Sequence, residues 1–460
     1  MADFDRSIVE GPLSSAVWKI AWPTILTNMI AGLQEIVDHV MVGNLVGYKA
    51  NAAIGISFQI FLVVLVFISS LFAGMSVLVS RFAGAHDQIK VNRTVYQAFL
   101  TAIFISVGVM APVGYFTAPY LLDLVSSDSG VKSEALPFLR VTLAFSTGLL
   151  IYIMTSCALR SAGDAKTPMV LGIVMTVLNL VFNVVLIGGA GPIPAFGTVG
   201  AGIGTSLATG VIGLYAIFKM WRGEWVVGFP RGQGWAPDWK VIRQLFKFGL
   251  PTGFQGIAVS VGGVVMLSFI GSLAQSAAAQ AAFAVAYTQL FSLITWISIG
   301  LMSAAATVAG QNLGAGYPDR ANAAVNTAAR FGIFSSAVIG IVFFLFPQQL
   351  LAVFGMTGGE AVDIGVMLLR VLSVSGLFVA MALTYTGGLQ GMGDTKAPLY
   401  FSFIALVVIP LSICFLIRLA GTLEPIHIWL AMLAGHVARC ALSVSRFLQG
   451  KWRHIAIESI

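Results

Sequence analysis

The sequence predicts an all-α integral membrane protein: twelve transmembrane helices in two repeated six-helix lobes around a central cleft. Two observations carry that prediction. Of the 460 residues, 58% are hydrophobic and only 9% are charged, with a mean hydropathy of +0.93, whereas about a quarter of the residues in a soluble domain are charged. The chain also repeats itself. The stretch from Leu159 to Pro168 (LRSAGDAKTP) returns from Leu389 to Pro398 (LQGMGDTKAP), 230 residues later and half the chain length. Ala83-Gly84-Ala85 answers Leu313-Gly314-Ala315 and Arg140 answers Arg370 at the same spacing, while Pro23 answers Pro251 at 228. Duplicated membrane halves are the signature of secondary transporters.

Apolar windows of about 20 residues, the length that crosses a hydrocarbon core as a helix, fall at 14–43, 52–79, 94–118, 135–158, 168–190 and 199–221. The second set lies at 243–271, 278–309, 323–350, 361–388, 397–419 and 425–448. A closed barrel is not expected, because its strands would alternate apolar and polar residues. The first six spans define an amino-terminal lobe, 1–222, and the last six a carboxyl-terminal lobe, 243–460. Between them, 223–242 reads as a cytoplasmic linker, where Gly228, Pro230, Gly232, Gly234 and Pro237 mark turns.

Basic residues set the orientation. They gather in the loops after even-numbered spans and in the tail, as Arg81, Lys90, Arg93, Arg160, Lys166, Lys219, Arg222, Arg231, Lys240, Arg320, Lys396, Arg439 and Arg446. The opposite side has Lys49, Lys132 and Arg418. Both termini are therefore expected in the cytoplasm, with the protein in a prokaryotic inner membrane, and the net charge of +7 reflects topology, with no nucleic-acid partner implied. Trp18, Trp22, Trp221, Trp225, Trp235, Trp239, Trp429 and Trp452 lie near span ends and read as interfacial anchors; Trp296 is in mid-span. No removable signal peptide is read at the acidic amino end. Cys157, Cys414 and Cys440 have no metal-like spacing, so neither a disulfide nor a resident metal is expected.

Glu35 and Asp38 are the acids that loops, tails and first helical turns do not account for. They lie late in the first span, one turn apart, with Gln34 on the same face. A carboxylate facing lipid costs at least a few kcal/mol, so that face is expected to line a bundle interior or a wet cavity. At an offset of 228 their counterparts are Gly263 and Met266. The scaffold repeats, but the acid does not. An ion site confined to one half accounts for that asymmetry; a purely structural carboxylate does not require it. Asn179 and Asn183 share a face of the fifth span, and Thr205 follows in the glycine-rich sixth. Their oxygens suit a cation, although interhelical hydrogen bonding would also use them.

These residues resemble the multidrug and toxic compound extrusion (MATE) family. The resemblance rests on Val37-Asp38-His39-Val40-Met41-Val42-Gly43, the Leu313-Gly314-Ala315-Gly316 turn, the paired Gly-Asp-x-Lys-x-Pro turns, and the Asn179 to Asn183 helix with its Gly-Pro-Ile-Pro sequel. Together they cover both halves. The resemblance implies a central cleft opening alternately to either side, and export of organic, often cationic, compounds driven by inward H⁺ or Na⁺. It places the ion on Asp38, with Asn179, Asn183 and Thr205 as polar partners and Glu35 beside it. If the ion is Na⁺, Asp38, Asn179 and Asn183 would hold it. Some relatives have Asp where this chain has Asn183.

Gln34, Gln255, Tyr287, Trp296 and Tyr385 are candidate substrate contacts, offering aromatic and amide surface to a flat cation. No cofactor is expected beyond the coupling ion, and a monomer is expected. The alternative is a lipid-linked oligosaccharide flippase on a related scaffold. Its pyrophosphate cargo would call for several basic residues inside the cleft, yet only Arg140 and Arg370 lie in spans away from the cytoplasmic edge. An enzyme is not expected. Gly391-Met392-Gly393-Asp394 matches an intramembrane aspartyl protease pattern, but it falls in a turn and repeats in the first half. No HExxH, GxSxG or phosphate-binding loop is present.

Overall fold

The structure, a computed structural model, describes residues 3–125, 129–230 and 235–457. Arg231, Gly232 and Gly234 of the expected linker lie outside the described residues. Among the described residues twelve long helices follow in order. The first half contains α1 (Leu13–Leu45), α2 (Tyr48–Gly84), α3 (Gln88–Asp123), α4 (Ser129–Ala144 and Thr147–Ser161, bent by 51°), α5 (Lys166–Gly188) and α6 (Gly197–Arg222). The second contains α7 (Trp239–Gly271), α8 (Ser276–Gly314), α9 (Pro318–Leu345), α10 (Glu360–Gly391), α11 (Lys396–Ala420) and α12 (Pro425–Leu448). Among the described residues ten are long and apolar enough to cross a membrane, and the bent α4, taken as one span, makes an eleventh. α1 has the length, 33 residues, but Asn28, Gln34, Glu35 and Asp38 dilute its hydrophobicity. Among the described residues the only β feature is an isolated bridge between Ala190 and Ile193.

The repeated turns are built alike. Gly163 and Gly393 have φ of 102° and 97°, a conformation that favours glycine. The aspartate that follows each one caps the next helix. Asp164 accepts from the backbone N–H of Lys166 and Thr167 at 3.1 and 3.0 Å and from the Thr167 hydroxyl at 2.6 Å. Asp394 accepts from the Ala397 N–H at 3.4 Å and from Arg446 Nε at 2.7 Å. These acids act as helix caps, which argues against reading Gly391–Asp394 as a protease motif. Arg140 and Arg370 also play matching parts: each guanidinium lies over a ring of the preceding helix, Tyr115 at 4.5 Å and Phe344 at 5.8 Å.

The chain folds as two compact units that are not simply its two halves. One is centred on Leu26–Gly253; the other is made of Arg6–Ile25 and Phe254–Ile457. Each half therefore gives the amino-terminal part of its first helix to the other unit. Pro23 and Pro251 stand two residues before the respective crossings. A continuous helix Trp239–Gly271 also absorbs the last residues of the expected 223–242 linker.

In the second unit α8 and α10 touch backbone to backbone. A Cβ at Gly387 would stand 2.2 Å from the Met302 carbonyl oxygen, and one at Gly391 would stand 2.2 Å from that of Ala306. Both pairs are four residues apart, as in small-residue membrane packing. At the position of the first unit that answers Ala306 and Gly391, Ser76 and Ser161 hydrogen-bond at 2.6 Å instead. Trp429 and Trp452 correct the sequence reading. They are 0% and 1% exposed, so they fill the core of the second unit and do not anchor at the membrane interface, unlike Trp221 and Trp239, at 70% and 75%.

Candidate functional site

The buried face of α5 carries Gly172, Asn179, Asn183 and Ile187, spaced by sevens and fours so that they align on one side. Two carboxamides in an apolar helix demand partners, because an unsatisfied buried amide costs about 1–3 kcal/mol. α1 and α6 supply them. Asn183 Nδ2 donates to Asp38 Oδ1 at 2.9 Å and to Asn179 Oδ1 at 3.1 Å. Asn179 Nδ2 donates to the Thr205 hydroxyl at 2.9 Å, and Thr205 donates to the Ala201 carbonyl at 3.0 Å. Asp38, Asn183, Asn179 and Thr205 thus form one hydrogen-bonded chain across three helices of the first unit.

One atom of this chain has no partner. Asn183 Oδ1 is buried and accepts no hydrogen bond, although the residue is 0% exposed. It faces Gly204, where an added Cβ would lie 2.2 Å from it. Glycine runs in membrane helices commonly serve close helix packing. That holds for Gly200, whose Cβ would meet the Leu186 carbonyl at 2.4 Å, but Gly204 leaves room for a site side chain. A carbonyl oxygen without a donor, beside a half-buried carboxylate, is suited to a proton or a metal cation.

The remaining candidates lie apart. Glu35 is exposed and enters none of these hydrogen bonds. Gln34 Oε1 accepts from the Thr176 hydroxyl at 2.6 Å, tying α1 to α5 a turn from the Asn179–Asn183 face. The sequence reading missed Thr176. Gln255 is buried between neighbours, donating to the Ser402 hydroxyl at 2.8 Å and accepting from Gln390 at 3.0 Å. Tyr385 donates to Asn326 at 2.9 Å and packs on Phe447. Tyr287 stands in a column of rings on α8, and Trp296 is half-buried on the same helix. In the second unit Met266, which answers Asp38, is a core residue at 6% exposure. Ile409, Ile413 and Gly435 answer Asn179, Asn183 and Thr205 at the 230 spacing. The polar chain has no twin. No cluster of three His, Cys, Asp or Glu that could hold a metal occurs among the described residues.

The MatE family profile matches residues 23–185 and 251–416, one match in each half. The chain belongs to the MATE family. This MATE chain is 27% identical over 444 residues to the probable multidrug resistance protein NorM of Thermotoga maritima, covering 95% of this chain and 93% of that one. It is 25% identical over 442 residues to the multidrug resistance protein MdtK of Pectobacterium atrosepticum, covering 94% of each. Its fold is similar to a structure described as the outward-facing conformation of a multidrug resistance MATE family transporter of the MOP superfamily. The TM-score is 0.87, at 20% identity and 97% coverage of both chains. MATE structures described as straight and bent conformations match with the same TM-score. Family and fold together make this chain a multi-pass membrane transporter.

Proposed function

We propose that this protein is a multidrug efflux transporter of a bacterial plasma membrane, with both termini cytoplasmic. It exports organic compounds by alternating access in exchange for a cation taken up at Asp38. The observation that carries the reading is the unpartnered Asn183 oxygen beside the Asp38 carboxylate, in a hydrogen-bonded chain absent from the repeated half. The named relatives, a probable multidrug resistance protein and a multidrug resistance protein, support the class of transport. An organic cation is the cargo that a carboxylate-based exchange accommodates most directly.

The donor set favours H⁺ as the coupling ion. Asn179 Oδ1 is already engaged by Asn183, and the Thr205 hydroxyl by Asn179, which leaves the carboxylate and one amide oxygen. That is ample for a proton and sparse for a metal ion that expects a shell of oxygens. Protonating Asp38 removes the charge that Asn183 serves, so the hold of α1 on α5 and α6 weakens. Pro23 lacks a backbone N–H, so α1 can bend there at little cost. The ion shifts the conformational balance only to the extent that it binds one state better.

The test is transport by the D38N variant in proteoliposomes loaded with a fluorescent organic cation, under a pH gradient and a Na⁺ gradient separately. The unmodified protein is expected to export dye under the pH gradient. D38N should be monodisperse and helical yet show no gradient-dependent export. Export by D38N at the unmodified rate would overturn the assignment.

A further inference from the structure

The second unit contains a polar cluster that efflux coupling at Asp38 does not use. On α8, Phe283, Tyr287 and Phe291 are spaced by four and stack in a column, with centroids 4.8 and 5.5 Å apart and planes within 22° of parallel. α12 closes both ends of the column. Trp429 stacks on Phe283 at 6.0 Å, and His436 stacks on Phe291 at 6.3 Å and 15°. Arg439 follows one turn after His436, close enough to act electrostatically on both His436 and Tyr287.

Three nitrogens here are buried without a hydrogen-bond partner: Trp429 Nε1, His436 Nδ1 and Arg439 Nε. His436 is 6% exposed. The acids described in this unit are engaged or distant. Asp394 holds Arg446, Asp319 holds Arg453, Glu424 caps the start of α12, Glu360 and Asp363 sit in the first turn of α10, and Glu10 is exposed at the end of the short helix Ser7–Glu10. Arg439 has no ion pair among the described residues. It lies nine residues before the end of α12, roughly 13 Å along the helix. At that depth a guanidinium facing hydrocarbon is costly, so it is expected to face a polar space. Phe283, Tyr287 and Arg439 are each only part buried, which gives the column an open side. Sequence reasoning counted Arg439 among the basic residues of the cytoplasmic edge and missed it as a cation within the helix.

The geometry points to a binding site for an aromatic anion on the second unit, between α8 and α12. A carboxylate or sulfonate would sit on Arg439, within reach of His436, and a flat ring would lie along the Phe283–Tyr287 face. The site is independent of the ion at Asp38 and implies nothing about the driving gradient.

The test is equilibrium binding to the full-length protein in nanodiscs of phosphatidylcholine, without any gradient. The probes are naphthalene-1-sulfonate and, as its charge-reversed match, 1-naphthylmethylammonium. An unmodified protein that binds the sulfonate about tenfold or more tighter is the expected result, since one charge-assisted hydrogen bond supplies at least that factor. R439Q should lose the preference and R439K should keep most of it. Equal binding of the two probes by the unmodified protein overturns the site, a reading that needs no variant to fold. So does a folded R439Q with its preference intact. At high salt, which screens the surface charge of the discs, adding phosphatidylglycerol should leave sulfonate affinity unchanged; a fall would assign the site to a lipid headgroup and overturn the aromatic reading.

Discussion

Replacing Gly204 with alanine tests the candidate coupling site without touching any group that would bind an ion. The new Cβ would stand 2.2 Å from Asn183 Oδ1 and 3.3 Å from the Asn183 backbone nitrogen. Asn183 is fully buried and tied by its amide nitrogen to Asp38 and Asn179. It can yield only by swinging the amide and breaking at least the bond to Asp38. Overpacking of this kind costs about 1–3 kcal/mol, and a hydrogen bond to a charged group contributes about 1.5–3 kcal/mol. The loss falls on the state in which Asp38 is held. With roughly 1.4 kcal/mol per tenfold, gradient-driven export should drop about tenfold or more. The matched control is Gly210→Ala, a site on the same helix where an added Cβ meets nothing within 4 Å. Both variants are reconstituted and assayed for export of a fluorescent organic cation under a pH gradient. A folded G204A that exports as fast as G210A would refute the claim that Asn183 holds the working carboxylate.

Asn183→Asp places a second carboxylate beside Asp38. Two like charges about 3 Å apart cannot both ionise without a cation between them. Added Na⁺ should therefore raise the melting temperature of N183D more than that of the unmodified protein, and equal responses in a thermal-shift assay would count against a cation site. Asp394→Asn removes the charge that holds Arg446 in a largely buried pair. It should cost about 3 kcal/mol of stability, read as a lower melting temperature. Export driven by a pH gradient should survive in the fraction that remains folded, because Asp394 is a helix cap and not part of the coupling chain. Loss of coupling in a fully folded D394N would contradict that division.

Much of the architecture was legible because membrane helices are set by local composition, and the repeat at 230 residues is visible by inspection. The polar chain was legible for a related reason: Asp38, Asn179 and Asn183 are conspicuous in apolar spans, and helical spacing aligns the two asparagines. What the sequence did not reveal depends on which way a side chain points. Trp429 and Trp452 sit near span ends, where anchors belong, yet their rings turn inward. Arg439 is near enough to other basic residues to read as part of a charged edge, and only its buried, unpartnered nitrogen sets it apart. The unmatched oxygen of Asn183, and the role of Gly204 in leaving room for it, are facts of packing that periodicity does not encode.

The exchange of helix ends between the two units has a consequence for how this protein can be taken apart. Ile25 fills the space beside Gly300, where an added Cβ would meet it at 2.4 Å, and the carbonyl of Ile8 accepts from Asn312 at 3.2 Å. Those residues open the first half of the chain but complete the second unit. In the other direction Leu245 closes on Gly74, its carbonyl 2.1 Å from where a Cβ would be. Severing the polypeptide at the linker would leave each fragment carrying a segment that belongs to the other fold and missing one of its own. Neither fragment is a self-sufficient module. Only the two produced together, able to trade their leading segments as a domain-swapped pair does, can rebuild either core.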